Sequence, residues 1–255
     1  MIISRRKLIV SGLAAAAGAS GLGLVEVARL ANKYGLVPPD HGGIFGLGET
    51  LTYASQRLLT RHAMAREFPR DRISPRPFPN EMGPLTEDFQ RLQAGGFADY
   101  RLSIDGMVHQ PASFSMADLK SYPSRSHITE IACEEGWSYI AEWIGVPLSE
   151  ILNAVGIHPQ ARYVVYVSME PNWWDSIDMA DALHPQTLLC YGMNGNGNDL
   201  PVVHGGPLRL RVPRQIGYKN VKFITRLTVT DSLKKIGKGC GSSSCEYGYA
   251  WYTGI

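Results

Sequence analysis

The sequence predicts one α+β domain, and three observations carry that expectation. Short runs rich in β-branched residues, His127 to Ala132, Tyr163 to Ser168 and Ile224 to Thr230, and the buried apolar run Thr187 to Met193, read as strands bounded by turn residues. Between them lie capped segments that read as helices of one to a few turns. A chain of 255 residues, 44% of them hydrophobic, can bury one substantial core, which favours one compact unit over two small ones. Neither a repeat of fixed period nor a low-complexity tract interrupts it.

Residues 1–31 stand apart. Ser4-Arg5-Arg6-Lys7 leads into an apolar run full of Ala and Gly, from Leu8 to Val25. This looks like a twin-arginine export signal, too short and too weakly apolar for a membrane span. Ala17-Gly18-Ala19 offers a cleavage site, with an uncleaved anchor as the alternative, and a chance Arg pair before a buried helix as the bland one. The reading places the protein in the periplasm. It also predicts a cofactor, because this route carries proteins already folded. The whole chain has a formal charge of +2, and beyond residue 31 it holds 21 basic and 22 acidic groups, so the working domain is near neutral. A nucleic-acid surface would need a concentrated basic face.

Residues 32–99 read as an arm wrapping the domain. Lys33 to Glu81 is rich in Gly, Pro and Arg, with a helix expected near Thr50 to Ala65, and Arg76-Pro77-Phe78-Pro79-Asn80 cannot be helical. Such an arm either closes over a site or merely covers surface. Thr86 to Gln93 reads as a short helix stopped by Gly95-Gly96.

The core is expected over residues 100–255. Tyr100 to Ile104 alternates, and Asp105-Gly106 reads as a tight hairpin turn into Met107-Val108. Ser115 caps a helix that stops before Pro123. Trp143 to Leu148 leads to Ser149, read as the cap of a helix from Glu150 to Val155 ended by Gly156. Glu170 to Asp175 is a loop with large aromatics, Met179 to Leu183 one helical turn, and Asn194 to Asp199 a turn. Between Val203 and Phe223 basic residues punctuate strand ends and glycine turns. They form either a phosphate cradle or a set of solvated charges.

Cysteines stand at 133, 190, 240 and 245. Their spacing matches neither a zinc site nor a haem attachment motif. Cys190, inside an apolar strand, reads as core, while Cys240 and Cys245 are candidates for a local disulfide, free thiols or redox cycling. Cys133 ends its strand and opens the loop Glu134-Glu135-Gly136-Trp137-Ser138. It is either a small buried core residue or a metal ligand on a rigid support.

From Tyr100 onward the chain resembles the sulfite-oxidase family of molybdenum enzymes. The resemblance rests on Leu183-His184-Pro185-Gln186-Thr187-Leu188-Leu189, Met193-Asn194-Gly195, Leu200-Pro201, His204-Gly205-Gly206-Pro207-Leu208-Arg209-Leu210, Val212-Pro213 and Gly217-Tyr218-Lys219-Asn220-Val221-Lys222. It implies an α+β, sulfite-oxidase-type molybdopterin-binding fold of mixed β-sheets or a barrel with short helices. It also implies Mo-molybdopterin as cofactor, with Cys133 as metal ligand and catalytic residue. Ser168, His204, Arg209, Asn220, Val221 and Lys222 would hold the pterin and its phosphate, with Arg76 and Asn80 as further contacts from the arm.

The loop from Cys133 to Ser138 and the segment Glu246-Tyr247-Gly248-Tyr249-Ala250 are similar to the exported methionine-sulfoxide reductases of that family, which work with a membrane haem partner. Glu135 would then hydrogen-bond or relay a proton, or serve only in a structural ion pair. Trp137 and Trp173 would shape the pocket. Sulfite-oxidising members carry basic residues after the cysteine, and two carboxylates there would repel sulfite. His204 stands where the reductases have asparagine, and Cys240 and Cys245 lie outside the common pattern. The implied function is reduction of a small-molecule or protein-bound oxide, fed by a membrane haem protein or soluble cytochrome, in a monomer. A sulfite-type oxidase, a cofactor-free binding protein and a thiol redox protein are the alternatives.

Overall fold

Nine strands in two sheets, one mixed and one antiparallel, carry the described part of the chain. The computed structural model describes residues 36–39, 46–80, 83, 86–195 and 199–255. The export segment lies outside the described residues, as do Glu81, the last residue of the arm's Gly-, Pro- and Arg-rich stretch, and residues 196–198 of the expected turn. The chain divides into two compact units, residues 1–59 and 60–255. In the first, the described residues form helix α1, Gly46–Leu59, which ends before the Ala65 expected of it. No helix among the described residues is long and apolar enough to cross a membrane.

In the second unit the first sheet has the order β2-β1-β9-β5-β6. Its strands are β1 (Leu102–Gly106), β2 (Ala112–Phe114), β5 (Tyr163–Ser168), β6 (Trp174–Asp178) and β9 (Ile224–Thr230). The β1 and β9 strands are parallel and the remaining pairs antiparallel. The second sheet, β3-β4-β7-β8, is antiparallel throughout, from β3 (Arg125–Ala132), β4 (Ser138–Pro147), β7 (Leu188–Met193) and β8 (Arg209–Arg211). Short helices α2 (Glu87–Ala94), α3 (Met116–Ser121), α4 (Leu148–Val155), α5 (Met179–Ala182) and α6 (Ser243–Glu246) fill in around them. This is the mixed-sheet, short-helix architecture expected.

The main core gathers Leu102, Val164, Tyr166, Leu227 and Val229 with Ile151, Leu152 and Val155 of α4. A smaller core lies under the second sheet around Ile131, Tyr139, Trp143, Leu188 and Cys190. Ser115 caps α3 in a reciprocal capping box with Asp118, and Thr86 accepts from Phe89 N–H at the start of α2, as the sequence suggested.

Four expectations are corrected. Asp105-Gly106 is the end of β1, not a hairpin turn, because a Cβ on Gly106 would stand 2.1 Å from the Val229 carbonyl oxygen of β9. The glycine there permits close approach of two backbones. Ser149 is no cap: Leu148 begins the helix and its N–H donates to Thr187 O at 2.9 Å, so the first turn is satisfied from β7's approach. Trp143 to Pro147, expected only as the lead into Ser149, is the second half of the ten-residue β4, which pairs with the whole of β3. Arg209, Arg211 and Lys219 are not solvated charges but buried ones, at 3%, 1% and 0% exposure. Lys219 Nζ bonds Asp175 at 2.6 Å, while the Arg209 and Arg211 guanidiniums lie over the Trp143 ring at 5.0 and 5.3 Å.

Candidate active site

Cys133 closes β3 at the wall of a cleft of about 140 Å³. The loop that presents it is a tight turn. Cys133 N–H donates to Trp137 O at 2.9 Å, Gly136 N–H donates to Cys133 O at 3.1 Å, and Gly136 takes a φ of +91°, which only glycine adopts freely. The backbone of Gly217 packs against the cysteine from the far side, where a Cβ would come within 3.2 Å of Cys133 Cα. One support is the cysteine's own turn and the other comes from 84 residues along the chain, so the Cys133 backbone is held from two sides.

The rim of the cleft is acidic. Glu134 and Glu135 are exposed, and Glu170 also lines the cleft. The thiol donates to Glu134 Oε2 at 3.1 Å, and Trp137 Nε1 donates to Glu135 Oε2 at 2.7 Å. Burial, joined by these carboxylates and opposed by a backbone bond from Glu135, pushes the Cys133 thiol up to about 12.

The floor is cationic. Arg209 donates to His204 O at 2.8 Å and Asn220 O at 2.6 Å, while its buried Nε has no partner. Lys222 donates to Val203 O and to Pro79 O at 2.9 and 2.7 Å, tying the arm to the cleft. The Asn220 side chain accepts from Arg211 and Val212 N–H and donates to Gln215 O and Ile216 O, so it shapes the loop rather than reaching outward.

Asn80, Cys133, Glu135, Arg209, Asn220, Val221 and Lys222 thus meet in one cleft, with Trp137 and Trp173 as walls. Ser168 and His204 stand behind it. Ser168 Oγ donates to Lys222 O at 2.9 Å, and His204 Nδ1 is 3.4 Å from the Tyr139 hydroxyl, a lining group. Burial, with Arg209 and Lys222 nearby, lowers His204 to about 4. Arg76 is exposed and does not line the cleft.

The sequence reading passed over Phe78, Tyr139, Glu170 and Tyr218, which also line it. Phe78, Trp137 and Tyr139 form a run of rings with centroids 5.3 and 5.8 Å apart. Alternation along Trp137, Tyr139, Ala141 and Trp143 was the available signal, since every second residue of a strand shares a face. Cys240 and Cys245 form a disulfide, and Cys190 is buried in the smaller core. Among the described residues no cluster of three or more His, Cys, Asp or Glu could hold a metal.

A sulfur donor on one wall and, deeper in the cleft, a buried guanidinium with one unsatisfied N–H beside Lys222 make a site suited to an anionic ligand. A pterin dithiolene with its phosphate fits those donors in kind. Comparison with known proteins agrees. Residues 90–235 match the oxidoreductase molybdopterin binding domain. Over 197 residues the chain is 34% identical to YedZ1 of Azospira oryzae, provisionally named a protein-methionine-sulfoxide reductase subunit, covering 77% of this chain and 70% of that one. It is 29% identical over 165 residues to the protein-methionine-sulfoxide reductase catalytic subunit MsrP of Ralstonia nicotianae, covering 59% of this chain and 49% of the relative. The sulfane dehydrogenase SoxCD of Paracoccus pantotrophus superposes with a TM-score of 0.50 at 28% identity, over 53% of this chain and 39% of that one. The chain belongs to the sulfite-oxidase family of molybdopterin-binding oxidoreductases.

Proposed function

We propose that this protein is an exported molybdenum reductase of neutral oxides, sulfoxides first among them, in which Cys133 supplies a thiolate to the metal. The carrying observation is the polarity of the cleft: the Cys133 sulfur lies between a carboxylate rim and a cationic floor. When bound, a molybdenum pterin supplies two-electron redox chemistry and a place for the transferred oxygen. Arg209, Lys222 and the Asn220-Val221 turn hold the group's phosphate and pterin, helped from behind by Ser168 and His204, and Asn80 approaches from the arm. Glu135, fixed by Trp137 Nε1, is placed to exchange a proton with solvent at its exposed carboxylate. Trp137 and Trp173 exclude water and offer apolar surface to a methyl sulfoxide. The names of the two reductase relatives support this substrate class.

In this reading the twin-arginine segment sends the folded protein to the periplasm, where it works as a monomer fed by a membrane haem protein or soluble cytochrome. Metal and pterin content of natively exported protein tests the proposal, with Cys133→Ser alongside. The expected result is about one metal and one pterin per wild-type chain. The variant should lose the metal or change its spectrum, and should lose sulfoxide reduction by on the order of a thousandfold. Fully matured, well-folded wild type without either component overturns it. The likeness to a sulfane dehydrogenase favours one second reading, oxidation of a sulfite-like anion, which the same preparation tests with sulfite as reductant.

A further inference from the structure

The segment after β9 has little to hold itself together. Gly237, Gly239, Gly241 and Gly248 all take positive φ values, so ordering it costs more backbone entropy than usual. Nevertheless Ser242, Ser243 and Ser244 are buried, at 0%, 2% and 2% exposure. Polar residues in a glycine-rich stretch do not bury themselves, and two structural features account for it.

The first is the Cys240–Cys245 disulfide, which closes the loop around these serines. The second is the edge of the five-stranded sheet. Strand β6 has β5 on one side only, leaving edge groups that need partners. Ser243 Oγ takes both of them at Trp174: it accepts from the Trp174 N–H at 3.4 Å and donates to the Trp174 carbonyl at 2.7 Å. Trp251 Nε1 donates to Ser176 Oγ at 2.8 Å one step along. Immediately before this clamped residue stands Trp173, a wall of the cleft.

The same segment reaches a second wall. Tyr218, on the loop between β8 and β9, donates its hydroxyl to Ala250 O, and its ring packs on Tyr249 with centroids 5.6 Å apart. Two cleft residues from remote parts of the chain are thus held from behind by one stapled tail.

We propose that Ser243 and the Cys240–Cys245 disulfide are positioning residues of the substrate cleft, setting Trp173 and Tyr218 where they grip the group beside the oxide. The inference rests on the cleft being the substrate site. It assigns a task to two cysteines that the common pattern of the family leaves unexplained.

The test uses the loaded, full-length enzyme in three forms: wild type, Ser243→Ala, and Cys240→Ser with Cys245→Ser. Steady-state kinetics with methionine sulfoxide are measured beside amide hydrogen exchange in the peptide spanning residues 169–178. Both variants should raise KM by on the order of tenfold with a much smaller change in kcat, because the walls orient substrate and do not touch the redox centre. Exchange at Trp173–Ser176 should quicken in both. Adding Ser243→Ala to the unstapled form should change KM little further, since the two act through one clamp.

A lowered melting temperature with unchanged KM and unchanged exchange at β6 would mean a merely structural staple and would overturn the proposal. Should the unstapled form fail to fold, Ser243→Ala with the disulfide intact decides alone, and an unaltered KM counts against the proposal. Absence of sulfoxide reduction in wild type would strike the proposed function instead, and the exchange data would still decide whether the clamp exists.

Discussion

The floor and the rim of the cleft are built on opposite plans. On the floor, Arg209 and Lys222 spend their hydrogen bonds on four backbone carbonyls in three separate stretches, at Val203 and His204, at Asn220 and at Pro79. Each cation is fixed by the fold and in turn fixes a loop. On the rim, Glu134 and Glu135 are exposed and bonded only to immediate neighbours, Cys133 and Trp137. A preorganised positive floor suits a resident anion that never leaves. A hydrated acidic rim suits a passing ligand, which it can sort by charge without holding it. The two layers would not divide this labour if floor residues governed turnover selectivity, or if rim residues governed cofactor retention.

The largest effect is expected at the floor. Arg209→Met removes the donors to His204 O and Asn220 O and the unpartnered Nε that looks for an acceptor. Pterin retained per chain after extensive gel filtration should fall by about 10- to 100-fold, the usual cost of losing a supporting group around a metal site. Selectivity among sulfoxides should not change in the fraction that stays loaded. Full retention of pterin would show that the floor is structural only.

Legibility in the sequence follows the same division. The rim loop was readable because its chemistry is contiguous: Cys133 to Trp137 is five residues at a strand end, and β3 is announced by its β-branched residues. The floor was readable only through the family motifs, since burial of a charge depends on partners elsewhere. Lys219 meets Asp175 44 positions away, and Arg211 meets Thr129 82 positions away; local composition contains nothing of either pairing. The β4 strand was not legible because Glu142 and Gly145 interrupt its apolar run. Glu142 is in fact buried at 6% exposure and answered by Arg70 and Ser126, and Gly145 lies against the Leu189 carbonyl at a register shift to β7. Tertiary partners, not propensity, made those two residues strand residues.

A smaller effect is expected at the rim. Charges a few ångströms apart at a hydrated surface interact by about 1 kcal/mol each. Replacing Glu134 and Glu135 together by Gln should therefore improve kcat/KM for an anionic oxide relative to a neutral one by roughly 5- to 30-fold. Metal and pterin content should stay at the wild-type level. A matched pair of sulfoxides, one bearing a carboxylate and one its methyl ester, reads this directly, and an unchanged ratio would remove the rim from any part in selection.

The smallest effect on turnover, and the one that separates the two layers most cleanly, is expected at His204. Its ring is buried, and Arg209 and Lys222 stand near it, so its folded value of about 4 lies below the ordinary 6.5. The unfolded chain then binds more protons than the folded one between those two values. Stability contributed by the neutral ring is complete above pH 6.5 and is lost as pH falls through about 4. The slope for one such proton is at most about 1.4 kcal/mol per pH unit. His204→Asn keeps a polar side chain but has nothing to titrate, so urea denaturation of the variant should show a flatter loss of stability between pH 6.5 and 4. At pH 7 the imidazole is already neutral, and turnover should be close to wild type. A variant with the wild-type acid slope would place the titrating group elsewhere. A variant with the flatter acid slope but little bound pterin at pH 7 would instead move His204 from the support behind the floor into the floor itself.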